Sequence, residues 1–175
     1  MAPNDTDVIT RAGAFENRDA WTAEGNCRLE RALELIGTRS ALILLRELFY
    51  GAKHFDELAS RTGLSEAVAE RLKQLLADDL LTQRPYQEPG SRTRHEYVLT
   101  ERGRSLFPIL VALINWGDTL DDTPGRLHLT HTTCGQPLKT TVTCASGHEV
   151  PITETTATIA GAPRSTHPTA TKAKP

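Results

Sequence analysis

The sequence predicts a mainly α-helical fold with a small β wing, the winged form of the helix-turn-helix. Leu, Ile and Val recur at helical spacing from Cys27 to about Leu120, which is typical of packed amphipathic helices. Glycines at positions 37, 51 and 63 divide the first half of this stretch into short helical segments. Two alternating segments then follow, LLTQRPY and RHEYVLT. They flank QEPGSRT, whose Pro-Gly pair predicts a turn between two strands.

The first three helices are predicted from their apolar faces and from the residues at their ends. The first helix ends at Gly37, and Thr38 or Ser40 caps the second, RSALILLRELFY. Because this second helix is apolar on most sides, we expect it to be the most buried. The segment HFDELASR predicts a short third helix. The apolar stripe of the first helix is Leu29, Leu33 and Ile36, and the inward positions of the third helix are Phe55, Leu58 and Ala59.

A tight turn, TGL, leads into the fourth helix, and Gly63 is able to adopt positive φ there. Ser65 is the predicted cap, and the charge of Glu66 suits the positive end of the helix. Pro108 in TERGRSLFPILVALINWGDTL indicates a kink or a late start of the last helix. The predicted apolar faces are Val68, Leu72, Leu75 and Leu76 in the fourth helix and Leu106, Ile109, Leu110, Leu113 and Trp116 in the last.

Composition changes at both ends of this central block, which we place at residues 26–120. Residues 1–25 are polar and predict a partly ordered arm in which only Phe15 and Trp21 offer anchors. Residues 121–154 begin with the helix-breaking DDTPG and contain strand-like stretches, which predict a small β-hairpin-like extension. Residues 155–175 are rich in Thr, Ala, Pro and Lys with almost no large apolar side chain, so we expect a disordered tail.

Bulk properties narrow the class of protein. The net charge is −2, so any binding of nucleic acid must depend on local clusters of basic residues. There is no apolar run of the roughly 18 residues that span a membrane and no secretory signal at the start, so we expect a cytoplasmic protein without a membrane partner. The sequence contains no phosphate-cradling glycine loop, no HExxH and no nucleophile–base–acid set, which argues against an enzyme.

A helix, a tight turn, a second helix and a hairpin together indicate DNA binding. In this arrangement the second helix enters the major groove, about 12 Å wide, and the hairpin contacts the backbone or the minor groove. Alternatively, the same residues form a solvated helix face and a charged hairpin. The candidate base readers on the helix are Ser65, Glu66, Ala69, Glu70, Lys73 and Gln74, and the candidate wing contacts are Arg92, Thr93, Arg94 and His95.

The stretch from about residue 27 to residue 117 resembles the HxlR family of bacterial winged-helix transcription regulators. The matching elements are Cys27 before the first helix, RALELIG, LLREL, SEAVAERLKQL with DDL, and YVLTERGRSLFPIL. The resemblance implies a homodimer, joined through its terminal helices, that binds a double-stranded DNA operator with two half-sites. Arg28 stands where the family usually has Pro, Thr38-Arg39-Ser40 replaces Gly-Lys-Trp, and the acid at Glu66 is uncommon.

The three cysteines are an odd number, which argues against a disulfide framework in a cytosolic protein. Cys27 lies at a predicted helix N-terminus near Arg28 and Arg31, an environment that favours thiolate. In some HxlR-type regulators a cysteine at this place senses oxidants or electrophiles. Cys27 is therefore a candidate redox sensor, or alternatively a small packed residue in the dimer seam.

A second group of soft ligands lies near the C-terminal end of the chain. Its spacing, His131-x2-Cys134-x9-Cys144-x3-His148, is compatible with a tetrahedral zinc site. Its pairs are not of the Cys-x2-Cys type, so we favour a metal-free hairpin without a cofactor.

Two functions remain at this stage. The first is a dimeric, sequence-specific transcription regulator, acting as a repressor that a small ligand or thiol oxidation releases from DNA. The alternative is a winged-helix protein-interaction module that does not read DNA, which the acidic residues of the fourth helix favour.

Overall fold

The computed structural model describes residues 8–22, 27–64, 67–87, 90, 92–120 and 125–160. The chain divides into two compact units, one formed by Cys27–Thr140 and the other by Met1–Asn26 with Thr141–Pro175. None of the described helices has the length and apolar content needed to cross a bilayer. In chain order the elements are β1 (Thr10–Ala12), α1 (Arg28–Ile36), α2 (Arg39–Phe49), α3 (Phe55–Thr62), α4 (Ala67–Ala77), β2 (Leu81–Tyr86), β3 (Arg94–Leu99), α5 (Glu101–Arg104), α6 (Phe107–Gly117) and β4 (Thr156–Thr158).

Helix α2 lies at the centre of the larger unit, as the sequence predicts. The hydroxyl of Thr38 accepts a hydrogen bond from the backbone N–H of Ala41 at 3.2 Å and so caps this helix. The core contains Leu44 and Leu45 of α2 together with Leu58 of α3. It is completed by the inner face of α4, formed by Val68, Leu72 and Leu75, all of which are buried.

The predicted apolar stripe of α1 and the predicted inward face of α3 are only partly buried. Leu29 and Leu33 of α1 are 66% and 51% exposed, and only Ile36 of that stripe is buried. Phe55 is 38% exposed because it is the first residue of α3, beyond the edge of the core. Helical periodicity identifies an apolar face but not the surface that covers it.

The last predicted helix is divided in two. Helix α5 ends at Arg104 and α6 begins at Phe107, with Pro108 in its first turn, so the predicted late start is confirmed. Leu110 and Val111 face the core, whereas Ile109, Leu113 and Trp116 of the predicted face are exposed.

Strands β2 and β3 form an antiparallel hairpin, with Leu81 opposite Leu99 and Tyr86 opposite Arg94. Its base is tied to the helices. The backbone N–H of Tyr97 donates to the carbonyl of Lys53 at 2.8 Å, and the N–H of Thr100 donates to the carbonyl of Leu80 at 3.1 Å. The hairpin therefore leaves the body of the larger unit as a two-stranded wing, as predicted.

The smaller unit joins two distant parts of the chain. Strand β1 pairs in parallel with β4, and Thr10 lies opposite Thr156. The predicted anchors Phe15 and Trp21 meet edge to face at 5.9 Å, and the guanidinium of Arg18 lies 4.7 Å from the Phe15 ring centroid. Strand β4 falls within the segment that we expected to be disordered from residue 155, because pairing with β1 orders its backbone. Residues 161–175 lie outside the described part of the chain.

The predicted hairpin at 121–154 is replaced by two separate short turns. In the larger unit, Thr130 and Pro137 form an isolated antiparallel bridge, and in the smaller unit Thr143 and Glu149 form another. Each turn contains its own positive-φ glycine, 135 or 147, so each closes locally instead of pairing with the other. The first turn is held to α6 because the amide of Asn115 donates to the carbonyl of Leu138 and accepts from the N–H of Thr140, each at 3.1 Å.

Candidate nucleic-acid interface

The connection between α3 and α4 fixes the angle at which α4 leaves the core. Gly63 ends α3 in the left-handed conformation, with φ of 65°. The hydroxyl of Thr62 donates to the carbonyl of Leu58 at 2.7 Å, and the N–H of Val68 donates to the carbonyl of Leu64 at 3.1 Å. These backbone and hydroxyl bonds at the two described ends of the connection fit the local geometry of a helix-turn-helix.

Helix α4 has one buried face and one open face. Val68, Leu72 and Leu75 are 0–1% exposed, which fixes the rotation of the helix about its own axis. The predicted readers Ala69, Glu70, Lys73 and Gln74 are all exposed on the opposite side. Ser65 and Glu66, the predicted cap and first reader, lie outside the described residues.

The predicted wing contacts are exposed on the hairpin. Arg92 and Thr93 precede β3, while Arg94 and His95 are its first two residues. The guanidinium of Arg94 lies 3.8 Å from the carboxylate of Asp56 at the start of α3, and both side chains are largely exposed. This exposed pair is weak enough to exchange for a phosphate.

Other acidic groups near this surface are already paired. Glu57 accepts a hydrogen bond from the N–H of Lys53 at 3.1 Å and forms an i,i+4 ion pair with Arg61 at 2.8 Å. The backbone N–H of Lys53 is the main cause that lowers the pKa of the Glu57 carboxyl below its ordinary value. Glu70 and Lys73, in contrast, have no ion-pair partner within 4.0 Å among the described residues.

Two basic residues at or near α4 are not among the predicted base readers and wing contacts. Arg71, half-buried on α4, donates from Nε to the hydroxyl of Ser40 at 3.2 Å and so braces α4 against the start of α2. The neighbouring Arg39 is the first residue of α2 and is exposed. The Thr38-Arg39-Ser40 segment thus combines a helix cap, an exposed cation and a hydroxyl that braces α4. No local sequence pattern predicts the contact of Ser40 with Arg71, because the two residues are far apart in the chain.

A profile of the family described as HxlR-like helix-turn-helix matches residues 35–125, just over half of the chain. The chain belongs to the HxlR-like helix-turn-helix family. An uncharacterised HTH-type transcriptional regulator of Mycobacterium tuberculosis is 39% identical over 124 residues, which cover 69% of this chain and 77% of the relative.

Solved structures give the same result for the fold. The crystal structure of PA1607, named as a candidate transcription factor, is 28% identical with a TM-score of 0.68 and covers 76% of this chain and 94% of its own. A second such protein, PA1374 from Pseudomonas aeruginosa, is 26% identical with a TM-score of 0.52, covering 79% of this chain and 94% of its own. The HxlR-like chain is therefore a winged-helix transcriptional regulator of the HTH type.

This HxlR-like chain also has exposed apolar residues on the first and last helices of its larger unit. In α1 they are Leu29 and Leu33, and in α6 they are Ile109, Leu113 and Trp116, the last of which is 63% exposed. Exposed apolar side chains of this size make these two helices candidates for an interaction surface.

The cysteines of the HxlR-like chain lie in three different settings. Cys27 is the N-cap residue of α1, as predicted, and is half-buried without a side-chain capping bond. Cys134 is exposed, and its thiol lies 3.1 Å from Nδ1 of His131. Cys144 is also exposed. Hydrogen bonds from backbone N–H groups, first that of His148 and then that of Ser146, lower the pKa of its thiol below the ordinary value.

The predicted zinc ligands are split between the two units. His131 and Cys134 belong to the larger unit, and Cys144 and His148 belong to the smaller. Within the described ranges, no three or more His, Cys, Asp or Glu side chains are grouped so as to hold a metal ion.

Proposed function

We propose that the chain is a cytoplasmic homodimer that reads a specific double-stranded DNA operator with α4 and contacts its backbone with the wing. One observation carries this proposal: α4 is held to the core by Val68 and Leu72, while Glu70 and Lys73 stay open on the other side. A helix of this kind can enter the major groove without rearranging the core.

The chemistry of the open face suggests a role for each residue. Lys73 can donate to guanine O6 and N7, and Gln74 can pair with adenine N6 and N7. Glu70 can accept from cytosine N4, and the methyl group of Ala69 can contact a thymine methyl. Ser65 and Glu66 complete this candidate set at the start of the helix.

Phosphate contacts are assigned to the wing and to the start of α2. Arg92, Arg94, Thr93 and His95 project donors from the hairpin, and Arg39 is exposed beside the segment that Arg71 braces. Arginine and hydroxyl donors of this kind position a protein on the duplex without reading its sequence.

The exposed apolar residues of α1 and α6 form the proposed dimer seam. In a two-fold dimer they would bury each other and present two copies of α4 to half-sites about 34 Å apart. Leu113→Glu should convert the dimer into a monomer in sedimentation velocity experiments. Val142→Glu changes an exposed apolar residue of the smaller unit and serves as the control. A Leu113→Glu protein that remains dimeric would place the seam elsewhere.

Release from DNA is proposed to follow binding of a small ligand or oxidation of Cys27. The half-buried Cys27 at the start of α1 is next to the proposed seam, so oxidation there would disturb the helix that joins the subunits. A Cys27→Ser protein should bind the operator normally and keep that binding in peroxide. If peroxide still releases this variant as it does the wild type, Cys27 is not the sensor.

The central experiment is selection of bound duplexes from a random pool, followed by salt titration of the selected duplex. A two-fold repeated sequence and a linear fall of log K with log salt are expected. The alternative is an interaction module that does not read DNA, which the open acid Glu70 favours. No enrichment and no salt-dependent duplex binding would support that alternative.

A further inference from the structure

A groove of about 440 Å³ lies in the larger unit between α1 on one side and α5 with the start of α6 on the other. Its volume is in the range of small-molecule sites. It is separate from the open face of α4 and from the tip of the wing, so the proposed DNA-reading surface does not use it.

The rim of the groove is positively charged. Arg28 and Arg31 of α1 and Arg102 of α5 line it, against a single carboxylate, that of Glu34. All three arginines are exposed, and none has a carboxylate partner within 4.0 Å among the described residues. Three guanidinium groups without partners around one groove favour an anionic occupant.

The walls of the groove are apolar. Ala32 and Leu35 form the α1 side, Leu106 and Ile109 form the opposite side, and the buried Leu80 lies at the base. An inorganic anion would leave the apolar surface of these walls exposed to water. The combination of apolar walls and a cationic rim fits an organic anion that has an apolar body and one charged end.

The groove uses a different face of α1 from the proposed dimer seam. Successive residues of an α-helix are about 100° apart. Arg28, Ala32 and Leu35 therefore share a face that is rotated by about 110° from Leu29 and Leu33. A partner seated on Leu29 and Leu33 leaves the groove side of α1 accessible, whereas on the opposite wall Ile109 belongs both to the groove and to the proposed seam.

The base of the groove is the joint between α4 and the wing. Leu80 lies between the end of α4 and the start of β2, and its carbonyl accepts hydrogen bonds from the N–H and hydroxyl of Thr100, at 3.1 and 3.3 Å. Thr100 connects β3 to α5, where Arg102 lies. An occupant that contacts Arg102 and Leu80 thus acts on residues next to α4, to the start of β2 and to the end of β3.

We propose that this groove binds an amphipathic organic monocarboxylate, with its carboxylate at Arg28, Arg31 and Arg102 and its apolar body against Leu35 and Leu106. Occupancy changes the position of the wing relative to α4 and so changes affinity for DNA. This second, regulatory part rests on the proposed function, whereas the binding part does not.

Sodium decanoate, kept below its micelle concentration, is the probe, and isothermal titration calorimetry of the full chain without DNA is the first measurement. One decanoate per chain is expected, with roughly two- to fourfold weaker binding for each CH₂ removed in the octanoate and hexanoate series. Arg31→Gln and Arg102→Gln should each weaken binding roughly tenfold, while Arg126→Gln, the same change at an exposed arginine outside the groove, should have no effect. Decanamide, which lacks the charge, should bind at least roughly tenfold more weakly than decanoate.

Ala32→Trp gives a second test because it fills the groove without changing charge, and it should abolish decanoate binding while the protein remains folded by circular dichroism. Equal binding of decanoate by wild type, Arg102→Gln and Ala32→Trp would overturn the site. Decanoate binding that appears only when Leu113→Glu has separated the subunits would also overturn the site. It would mean that the second copy occupies the groove in the wild-type dimer.

The regulatory part is measured as the ratio of operator affinities with and without saturating decanoate. The same ratio must describe the effect of operator on decanoate affinity, because coupling is reciprocal. A ratio of one with normal decanoate binding would refute the regulatory part alone. Decanoate binding with the expected variant pattern in a protein that binds no duplex would instead refute the proposed function and leave the site intact.

Discussion

Gly103 is the residue at which helix propensity and packing predict opposite effects. It is buried in α5, and a Cβ at this position would overlap the carbonyl oxygen of Leu80 and lie 3.1 Å from Cδ2 of Leu99. Propensity alone predicts that Gly103→Ala stabilises the helix by up to about 1 kcal/mol. The contact predicts the reverse, because a carbonyl of the backbone cannot rotate away as a flexible side chain can.

The size of the effect follows from what must move. Either α5 or the Leu80 turn has to shift, and overpacking of this kind costs about 1–3 kcal/mol. The shift also strains the hydrogen bonds from Thr100 to the Leu80 carbonyl, at about 0.5–1.5 kcal/mol each. After subtraction of the propensity gain, Gly103→Ala should lower the free energy of unfolding by about 1–5 kcal/mol.

Urea denaturation followed by circular dichroism measures this change. With a slope of about 2 kcal/mol per molar urea, the middle of the usual range, the midpoint should fall by roughly 0.5–2.5 M. Gly117→Ala is the matched control, since a Cβ at Gly117, the last residue of α6, meets nothing within 4 Å, and its midpoint should stay the same or rise. A Gly103→Ala protein as stable as Gly117→Ala would refute the close approach of α5 to Leu80.

Three further predictions follow from the described contacts. Thr38→Ala removes the cap of α2 and should lower the free energy of unfolding by about 1 kcal/mol in urea titrations. Arg92→Ala and Arg94→Ala should weaken binding to all duplexes to a similar extent and reduce the salt slope by about 1 each, and unchanged slopes would remove the wing from the interface. Backbone N–H donors lower the pKa of the Cys144 thiol. In the folded protein, the rate of Cys144 alkylation by iodoacetamide, plotted against pH, should therefore have its midpoint below the ordinary thiol pKa of about 8.5. That midpoint should return to the ordinary value in urea, and identical midpoints in both states would contradict the prediction.

The elements that the sequence predicts well are those whose signal is local. Helix α2, the inner face of α4 and the turn at Gly63 follow from apolar spacing and from one residue that tolerates positive φ. The wing follows from alternation on both sides of a Pro-Gly turn. Because these features determine which side of α4 stays open, they also predict which residues of α4 belong to the candidate site.

The features that the sequence does not predict depend on distant partners. Leu29 and Leu33 have the same spacing as a core face, and spacing does not show that the larger unit leaves both of them exposed. The bond from Arg71 to Ser40 joins residues far apart in the chain, and neither residue type has a preference that reveals it. The arginine-rimmed groove is also invisible in sequence, since Arg102 approaches Arg28 and Arg31 only through packing of α5 near α1.

The parallel pairing of β1 with β4 has a consequence for the order of folding during synthesis. Thr10 leaves the ribosome early, but its partner Thr156 is made only after the whole of the larger unit has been synthesised. Closing so long a loop is entropically costly until the intervening chain is compact. Released chains truncated before residue 156 are therefore expected to contain a protease-resistant Cys27–Thr140 unit and a protease-sensitive N-terminal segment, which is protected in the full-length chain.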